Sequence, residues 1–251
     1  MNIDTDLGGP ADRFPATRCS VLRAVTSPDA TVRRQAQETL VSAYWKPVYK
    51  YLRMHWQLAN EDAKDLTQGF FTLALDKSFF DRFDPSQARF RTFLRVCVDG
   101  FVSKEQRAAG RLKRGGEAAH VSLDFAGADA ELQRHIPAPG ADPDDLFRQE
   151  WLRSLFALAV DGLRQHCLAS GKEKHFQVFQ RYDLEAAETG EPLTYAQLAA
   201  ELGLSTTQVT NYLAFSRAHF RKLVLDRLAA TTGTDDEYQL EVRNLFGGEI
   251  P

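Results

Sequence analysis

Residues 193–213 read LTYAQLAAELGLSTTQVTNYL, and this stretch decides how the C-terminal half of the chain folds. Apolar residues recur at three- and four-residue spacing on both sides of Gly203, which is typical of two short helices joined by a tight turn. Ser205 is suited to cap the second helix, and Ala199 is small where the two helices would cross. The pattern predicts a helix-turn-helix whose small apolar core contains Leu198, Leu204, Val209 and Leu213.

The second helix of this motif carries side chains that are suited to bind DNA. Its first turns would present hydroxyl and amide groups to the major groove, where Gln and Asn can pair with the edge of adenine. Basic side chains further along the helix would bind phosphates. A helical hairpin that binds protein, or no ligand, is the alternative interpretation. The predicted DNA-contacting residues are Thr206, Thr207, Gln208, Thr210, Asn211, Arg217, Arg221 and Lys222.

Composition limits the class of protein. The chain has 251 residues, of which 43% are hydrophobic and 26% are charged, so we expect globular domains of roughly 100 residues each. No apolar run approaches the roughly 20 residues of a membrane span, and residues 1–10 lack an export signal, which predicts a cytoplasmic location without membrane association. The chain also lacks a glycine-rich phosphate loop, a nucleophile elbow and a cluster with metal-ligand spacing. We therefore expect no enzymatic activity, no metal and no cofactor.

Helical periodicity extends through most of the chain, and strand patterns are nearly absent. Residues 110–143 are rich in Gly and Pro, which predicts an interdomain linker without long helices. The sequence therefore predicts an all-α protein with two small helical domains, residues 17–109 and 144–230, and a C-terminal helical extension, residues 231–251. The predicted helices are residues 30–54, 61–76, 86–109, 144–169, 172–184, 194–202, 205–226 and 235–246.

Three motifs in the N-terminal half give the chain a family resemblance. They are DAKDLTQGFF at residues 62–71, FDP at residues 83–85 and FRTFL at residues 90–94. With the helix-turn-helix behind them, they resemble regions 2 and 4 of extracytoplasmic-function sigma factors over about residues 17–230. The resemblance implies a transcription initiation factor that directs RNA polymerase to promoters and assists promoter melting. Its implied partners are promoter DNA and core RNA polymerase, through the beta-prime clamp helices and the beta flap.

The resemblance also assigns roles to individual residues. Region 4 would read the minus-thirty-five element through the helix-turn-helix, while the clamp helices would bind Asp62, Asp65 and Gln68. The minus-ten element would contact Phe83, Arg89, Phe90, Arg91, Arg95, Lys104 and Arg107. Taken alone, the acidic face of the 61–76 helix is a solvated helix surface. The Phe90 ring is suited either to stack on a base or to pack in a core, whereas Phe93 and Leu94 are expected in the core.

Regulation is implied by a closer likeness to a kinase-associated group of these factors. Gly69 replaces a usual acid in the clamp-binding helix, and in that group phosphorylation of a region 2 threonine permits polymerase binding, which indicates Thr67. On a helical wheel, however, Thr67 tends towards the core, whereas Thr72 falls on the acidic face. A Ser/Thr protein kinase and an anti-sigma factor are both candidate regulators. Asp99 also departs from the family, which commonly has Asn there.

Two further expectations concern the C-terminal half. A free-standing transcriptional regulator that uses only the helix-turn-helix, as a dimer on a palindrome, is the alternative function.

In the extension, residues 235–246 are predicted to form a helix that packs back on the helix-turn-helix domain or on the linker. Its apolar stripe consists of Tyr238, Leu240, Val242, Leu245 and Phe246.

Overall fold

The computed structural model describes residues 20–75, 77–80, 82–109, 123–134, 141–186 and 193–247. These residues form an all-helical structure, as the sequence predicts. No helix within them is long and apolar enough to cross a membrane. The helices are α1 (Ser20–Ala24), α2 (Ala30–Met54), α3 (Asn60–Ala74), α4 (Lys77–Phe80), α5 (Phe90–Ala109), α6 (Phe125–Arg134), α7 (Pro143–Ala169), α8 (Glu173–Phe179), α9 (Tyr195–Leu202), α10 (Thr206–Thr231) and α11 (Asp235–Phe246), and a π-helical segment (Gln180–Glu185) follows α8.

Helix α2 is the central element of the N-terminal half. Asp29 caps its start, where Oδ1 accepts hydrogen bonds from the backbone N–H groups of Thr31 at 2.7 Å and Val32 at 3.2 Å. The helix continues through Pro47 as a single element, so the proline does not divide it. Because α2 contacts α3, α6 and α7, nearly every side chain between residues 40 and 52 is buried.

The two halves of the chain contribute to one hydrophobic core. Buried side chains of α2, α5 and α7 pack in the same cluster as Val224 and Leu228 of α10. The Tyr44 hydroxyl of α2 donates a hydrogen bond to the carbonyl oxygen of Thr231, at the end of α10, at 2.8 Å. A separate, smaller core lies under the helix-turn-helix and contains Val178, Leu198, Ala199, Val209 and Leu213.

Helix α6 lies inside the predicted linker. The Phe125 ring packs edge-on against Trp45 and Tyr49 of α2, with ring centroids 5.4 and 5.1 Å apart. At the other end, Glu131 forms ion pairs with Lys46 at 2.9 Å and Lys50 at 2.8 Å. Residues 110–143 therefore contain a ten-residue helix that the sequence did not predict, and its contacts with α2 outweigh the nearby glycines. The other linker residues, 110–122 and 135–140, lie outside the described residues.

Helix boundaries differ from the predicted ones mainly at two places. Helix α5 begins at Phe90 because residues 84–87 form a turn, in which Asp84 Oδ1 accepts hydrogen bonds from the Ser86 N–H at 2.9 Å and from its hydroxyl at 2.7 Å. These hydrogen bonds lower the pKa of Asp84. Helix α10 continues to Thr231, five residues beyond its predicted end at 226, because its last turns pack in the main core.

Candidate nucleic-acid interface

The turn between α9 and α10 is fixed by local hydrogen bonds. At the start of α10, the Ser205 hydroxyl accepts a hydrogen bond from the Gln208 N–H at 3.2 Å, and Gln208 Oε1 accepts one from the Ser205 N–H at 2.8 Å. Thr194 and Gln197 form the same reciprocal pair at the start of α9. Gly203 adopts the left-handed conformation with φ of 64°, as the sequence predicts.

This turn leaves the first two turns of α10 open to solvent. Val209 and Leu213 are buried on the inner side, against Leu198 of α9. The outer side carries the polar residues that the sequence singled out, and each of them is exposed. They are Thr206, Thr207, Gln208, Thr210 and Asn211.

These five side chains are not equally free to bind a base. Oε1 of Gln208 is engaged in the cap, which leaves its amide NH₂ as a donor. The Thr210 hydroxyl donates a hydrogen bond to the Thr206 carbonyl oxygen at 3.0 Å. Asn211 is exposed and takes part in neither cap, so its amide is accessible for the kind of paired contact that adenine recognition uses.

The basic side chains predicted to bind phosphate differ in the same way. The Arg217 guanidinium binds both carboxylate oxygens of Asp183, at 2.9 and 2.7 Å, and these hydrogen bonds raise its pKa above the ordinary value. The Arg221 guanidinium lies 4.7 Å from the ring centroid of Phe246, on α11. Lys222 is exposed on α10. Two of the three predicted phosphate contacts therefore already have intramolecular partners.

The second candidate surface is the aromatic segment, which we define as residues 83–91. The Phe90 ring is only 1% exposed and packs against Tyr44 and Phe83, with ring centroids 5.6 and 5.2 Å apart. Of the two interpretations of Phe90, packing in the core is the one that the structure shows. Leu94 is buried as expected, and Phe93 is half-buried.

Arg91 differs most from its predicted role. Its side chain is 6% exposed, its Nη2 lies 3.0 Å from Oε1 of Glu241, and its guanidinium lies 4.8 Å from the ring centroid of Trp151. The prediction that Arg91 is available to phosphate is therefore wrong for this conformation, because α11 covers it. Arg89 is 42% exposed and also binds Glu241, at 3.3 Å.

Glu237 lies one turn before Glu241 on α11 and accepts two backbone hydrogen bonds. Its Oε2 lies 2.7 Å from the N–H nitrogen of Gly233 and 3.4 Å from that of Phe90. Burial raises the pKa of Glu237 above its usual range, against the lowering effect of these two hydrogen bonds. Helix α11 thus packs on α10, as the sequence predicts, and also on the start of α5.

Arg95 and Asp99 belong to a polar cluster between α5 and its neighbours. The Arg95 guanidinium binds Asp99 at 2.6 Å and Asp144, at the start of α7, at 2.5 Å. Asp99 also accepts hydrogen bonds from the Tyr51 hydroxyl at 3.0 Å and from Trp56 Nε1 at 2.9 Å. The Asp99 carboxylate therefore has a structural role as a hydrogen-bond acceptor. The Arg95 guanidinium is already paired with carboxylates of the protein.

The remaining predicted minus-ten contacts lie near the C-terminal end of α5. Lys104 and Arg107 are both exposed, and Arg107 Nε donates a hydrogen bond to the Ser103 carbonyl oxygen at 2.9 Å. Three further basic residues that follow in the sequence, Arg111, Lys113 and Arg114, lie outside the described residues. This end of α5 keeps an accessible positive surface.

Helix α3 presents the predicted acidic face. Asp62 and Asp65 are exposed and Gln68 is half-buried. The Lys64 ammonium forms an ion pair with Glu61 at 2.7 Å, so the lysine charge is balanced within the helix. The carboxylates of Asp62 and Asp65 remain as a negative surface.

The two candidate phosphorylation sites on α3 differ in burial. Thr67 is fully buried and its hydroxyl donates a hydrogen bond to the Ala63 carbonyl oxygen at 2.6 Å, as the helical wheel indicates. Thr72 is exposed. A Cβ atom on Gly69 would lie 3.3 Å from the Phe101 ring, so an acid at this position would require that ring to move.

Sequence reasoning missed the residues that cover the aromatic segment, which are Arg148, Trp151, Glu237 and Glu241. The available signal was the i, i+4 spacing of the two glutamates, which places both on one face of an otherwise amphipathic helix. The chain matches no family model, no curated protein and no solved structure among those with which it was compared.

Proposed function

We propose that this protein is a transcription initiation factor that binds core RNA polymerase, directs it to specific promoters and assists their melting. The observation that carries this proposal is the capped turn before α10, from which a row of polar side chains extends into solvent. The row has the length and chemistry of a recognition helix in the major groove. Asn211 would read a base, and Lys222 would bind a phosphate.

The acidic face of α3 supports the polymerase half of the proposal. Ala63 and Phe70 fix one side of the helix in the main core, so Asp62 and Asp65 are held on the opposite, solvent side. A rigid pair of carboxylates is suited to a basic partner surface, since complementary charge steers association and fixes register. We assign this face to the clamp helices of the beta-prime subunit.

In this proposal, residues 17–109 act as a region 2-like domain and residues 144–230 as a region 4-like domain. Lys104 and Arg107 would contact the duplex close to the minus-ten element. The aromatic segment would bind the melted strand after its cover is displaced. The protein would act in the cytoplasm without catalysis, metal or cofactor, and an anti-sigma factor or a Ser/Thr protein kinase remains a candidate regulator.

Capture of core RNA polymerase, followed by run-off transcription on genomic fragments, tests the proposal. We expect wild type to bind core polymerase and to start transcripts at discrete sites. The variant Asp62→Lys/Asp65→Lys should lose core binding, because both carboxylates of the docking face change sign. The matched control is Asp235→Lys/Asp236→Lys, which makes the same change at two exposed acids on α11 and should retain core binding.

Absence of core binding by wild type would contradict the proposal. Binding of a palindromic duplex by a dimer, without polymerase and with no effect on transcription start sites, would instead favour a free-standing regulator. An electrophoretic mobility shift with and without core polymerase separates these two functions.

A further inference from the structure

Glu241 joins three distant parts of the chain through one buried carboxylate. Its Oε1 binds Arg89 and Arg91, on either side of the start of α5, and its Oε2 lies 3.4 Å from Nη2 of Arg148 on α7. The Glu241 side chain is fully buried. A buried carboxylate is costly unless it is paired and hydrogen-bonded, and these three guanidinium groups meet that requirement. Helix α11 is therefore held in place by charge as well as by apolar contact.

Glu237 adds a second attachment on the same face of α11. It accepts a hydrogen bond from the N–H of Phe90, the first residue of α5. The first N–H groups of a helix lack partners within the helix and carry partial positive charge. Glu237 and Glu241 thus both bind the N-terminal end of α5. Arg89 and Arg91, the candidate contacts to single-stranded DNA, lie at this end.

The turn before α11 is fitted to the aromatic segment. A Cβ atom on Gly233 would lie 2.6 Å from a ring carbon of Phe83, so the backbone of the turn touches the ring and only glycine fits without movement. At the other end of α11, the Phe246 ring lies beneath the guanidinium of Arg221 on α10. One short helix therefore contacts residues of both candidate DNA surfaces.

We infer that α11 is an autoinhibitory element, which holds the aromatic segment closed to single-stranded DNA while the Glu241 carboxylate takes the place of a DNA phosphate on Arg89 and Arg91; this rests on the function proposed above. A phosphate and a carboxylate offer the same charge-assisted oxygen acceptors to a guanidinium. Because Arg91 is enclosed by Glu241 and Trp151, a DNA strand and α11 cannot bind it together. Each therefore weakens the binding of the other by the same factor.

Single-strand binding by the full-length protein tests this inference. The probe is a fluorescent single-stranded DNA oligonucleotide of mixed sequence, titrated at low salt and followed by anisotropy. Glu241→Gln should raise affinity for this probe on the order of tenfold, within the usual range of coupling between competing sites. Asp236→Asn is the matched control, because it removes one exposed carboxylate from the same helix and lowers the net negative charge equally. It should change affinity by less than about twofold, through general charge alone.

Arg148→Gln provides a second variant that leaves the candidate strand-binding arginines in place. It removes only the 3.4 Å contact of a partly exposed arginine, so folding should be retained even if Glu241→Gln destabilises the protein. Hydrogen exchange of α11 should accelerate in this variant, and probe affinity should rise with it. Faster exchange without a gain in affinity would overturn autoinhibition.

Core polymerase capture, measured on the same preparations, distinguishes the two possible failures. If the variants bind core polymerase but bind the probe no better than Asp236→Asn, the autoinhibitory role is wrong and the proposed function stands. If neither wild type nor any variant binds core polymerase or DNA, the proposed function is wrong and the autoinhibition of DNA binding falls with it.

Discussion

The two candidate DNA surfaces of this protein are built in opposite ways. The first turns of α10 are exposed, and the hydrogen bonds that set their direction join residues only three positions apart. The aromatic segment is covered, and the hydrogen bonds that cover it join Phe90 and Arg91 to residues 147 and 150 positions away. A surface whose geometry is set by residues close in sequence can be predicted from a short motif. A surface that is covered by a helix distant in sequence cannot be predicted in this way.

Alanine substitutions on the two surfaces should change the free energy of unfolding by very different amounts. Phe90→Ala is expected to lower the free energy of unfolding by about 3–5 kcal/mol, because it removes a fully buried ring from an aromatic cluster. Thr207→Ala, on the exposed surface of α10, should change it by no more than about 0.5 kcal/mol. Urea unfolding followed by circular dichroism measures both. Equal and small losses would show that the aromatic segment is not packed as described.

Sequence preference should reside on the exposed surface. Given the proposed function, Asn211→Ala should cost about 1–3 kcal/mol on a preferred promoter duplex, through loss of one bidentate base contact. Lys222→Ala should weaken all sequences alike and reduce the salt dependence of binding. Promoter profiles of the two variant holoenzymes test this difference. An unchanged profile with Asn211→Ala would mean that this face of α10 does not read bases.

The direction of α10 depends on a single backbone conformation. Gly203→Ala should cost about 1–2 kcal/mol, because a Cβ atom is unfavourable in the left-handed region, although no atom of the described residues would lie within 4 Å of it. Gly100→Ala is the matched control, since that glycine also has open space around it but lies within α5. It should be neutral or stabilising by up to about 1 kcal/mol. Similar losses from both substitutions would contradict the role of the turn.

On the covered surface, the stability that Glu237 contributes by packing α11 on α5 should depend on pH. Its pKa is raised in the folded protein, so its contribution to stability is present below the unfolded value near 4.5 and is lost as pH rises through the folded value. Glu237→Gln removes this loss, and its stability relative to wild type should therefore increase from pH 4 to pH 7. Chemical unfolding at several pH values measures the trend, with Glu173→Gln as a control for an exposed carboxylate. A trend of opposite sign would mean that Glu237 is stabilised as a charged group.

Local patterns in the sequence predicted much of this fold. The bounds of α2 and α11 agree with their predicted ranges, and the burial of Thr67 follows from helical periodicity alone. The cap at Ser205 and the conformation of Gly203 also depend only on residues within a few positions. These features are set by backbone hydrogen bonding and by the spacing of apolar residues, both of which a sequence displays directly.

Features that depend on distant partners were not predictable in this way. Helix α6 forms because Phe125 and Glu131 contact α2, although glycines lie on both sides of it and prolines follow it. Arg91 and Arg217 have the charge and the hydrogen-bond donors to bind a phosphate, but Glu241 and Asp183 already bind them. A charged residue in a sequence gives no indication of whether its partner is a ligand or another part of the same chain.

The C-terminal helices contact residues that are distant in sequence, and this affects how the protein folds during translation. The Tyr44 hydroxyl donates a hydrogen bond to the carbonyl oxygen of Thr231, 187 residues away, and the Phe83 ring is covered by the backbone of Gly233. Since a ribosome delivers the N-terminal half first, that half spends most of translation without its final packing partners. During this interval the Phe83 ring, Arg89 and Arg91 lack the contacts with Gly233 and Glu241 that cover them in the folded protein. Rates of translation and of final docking therefore set how long this surface is accessible in each new molecule.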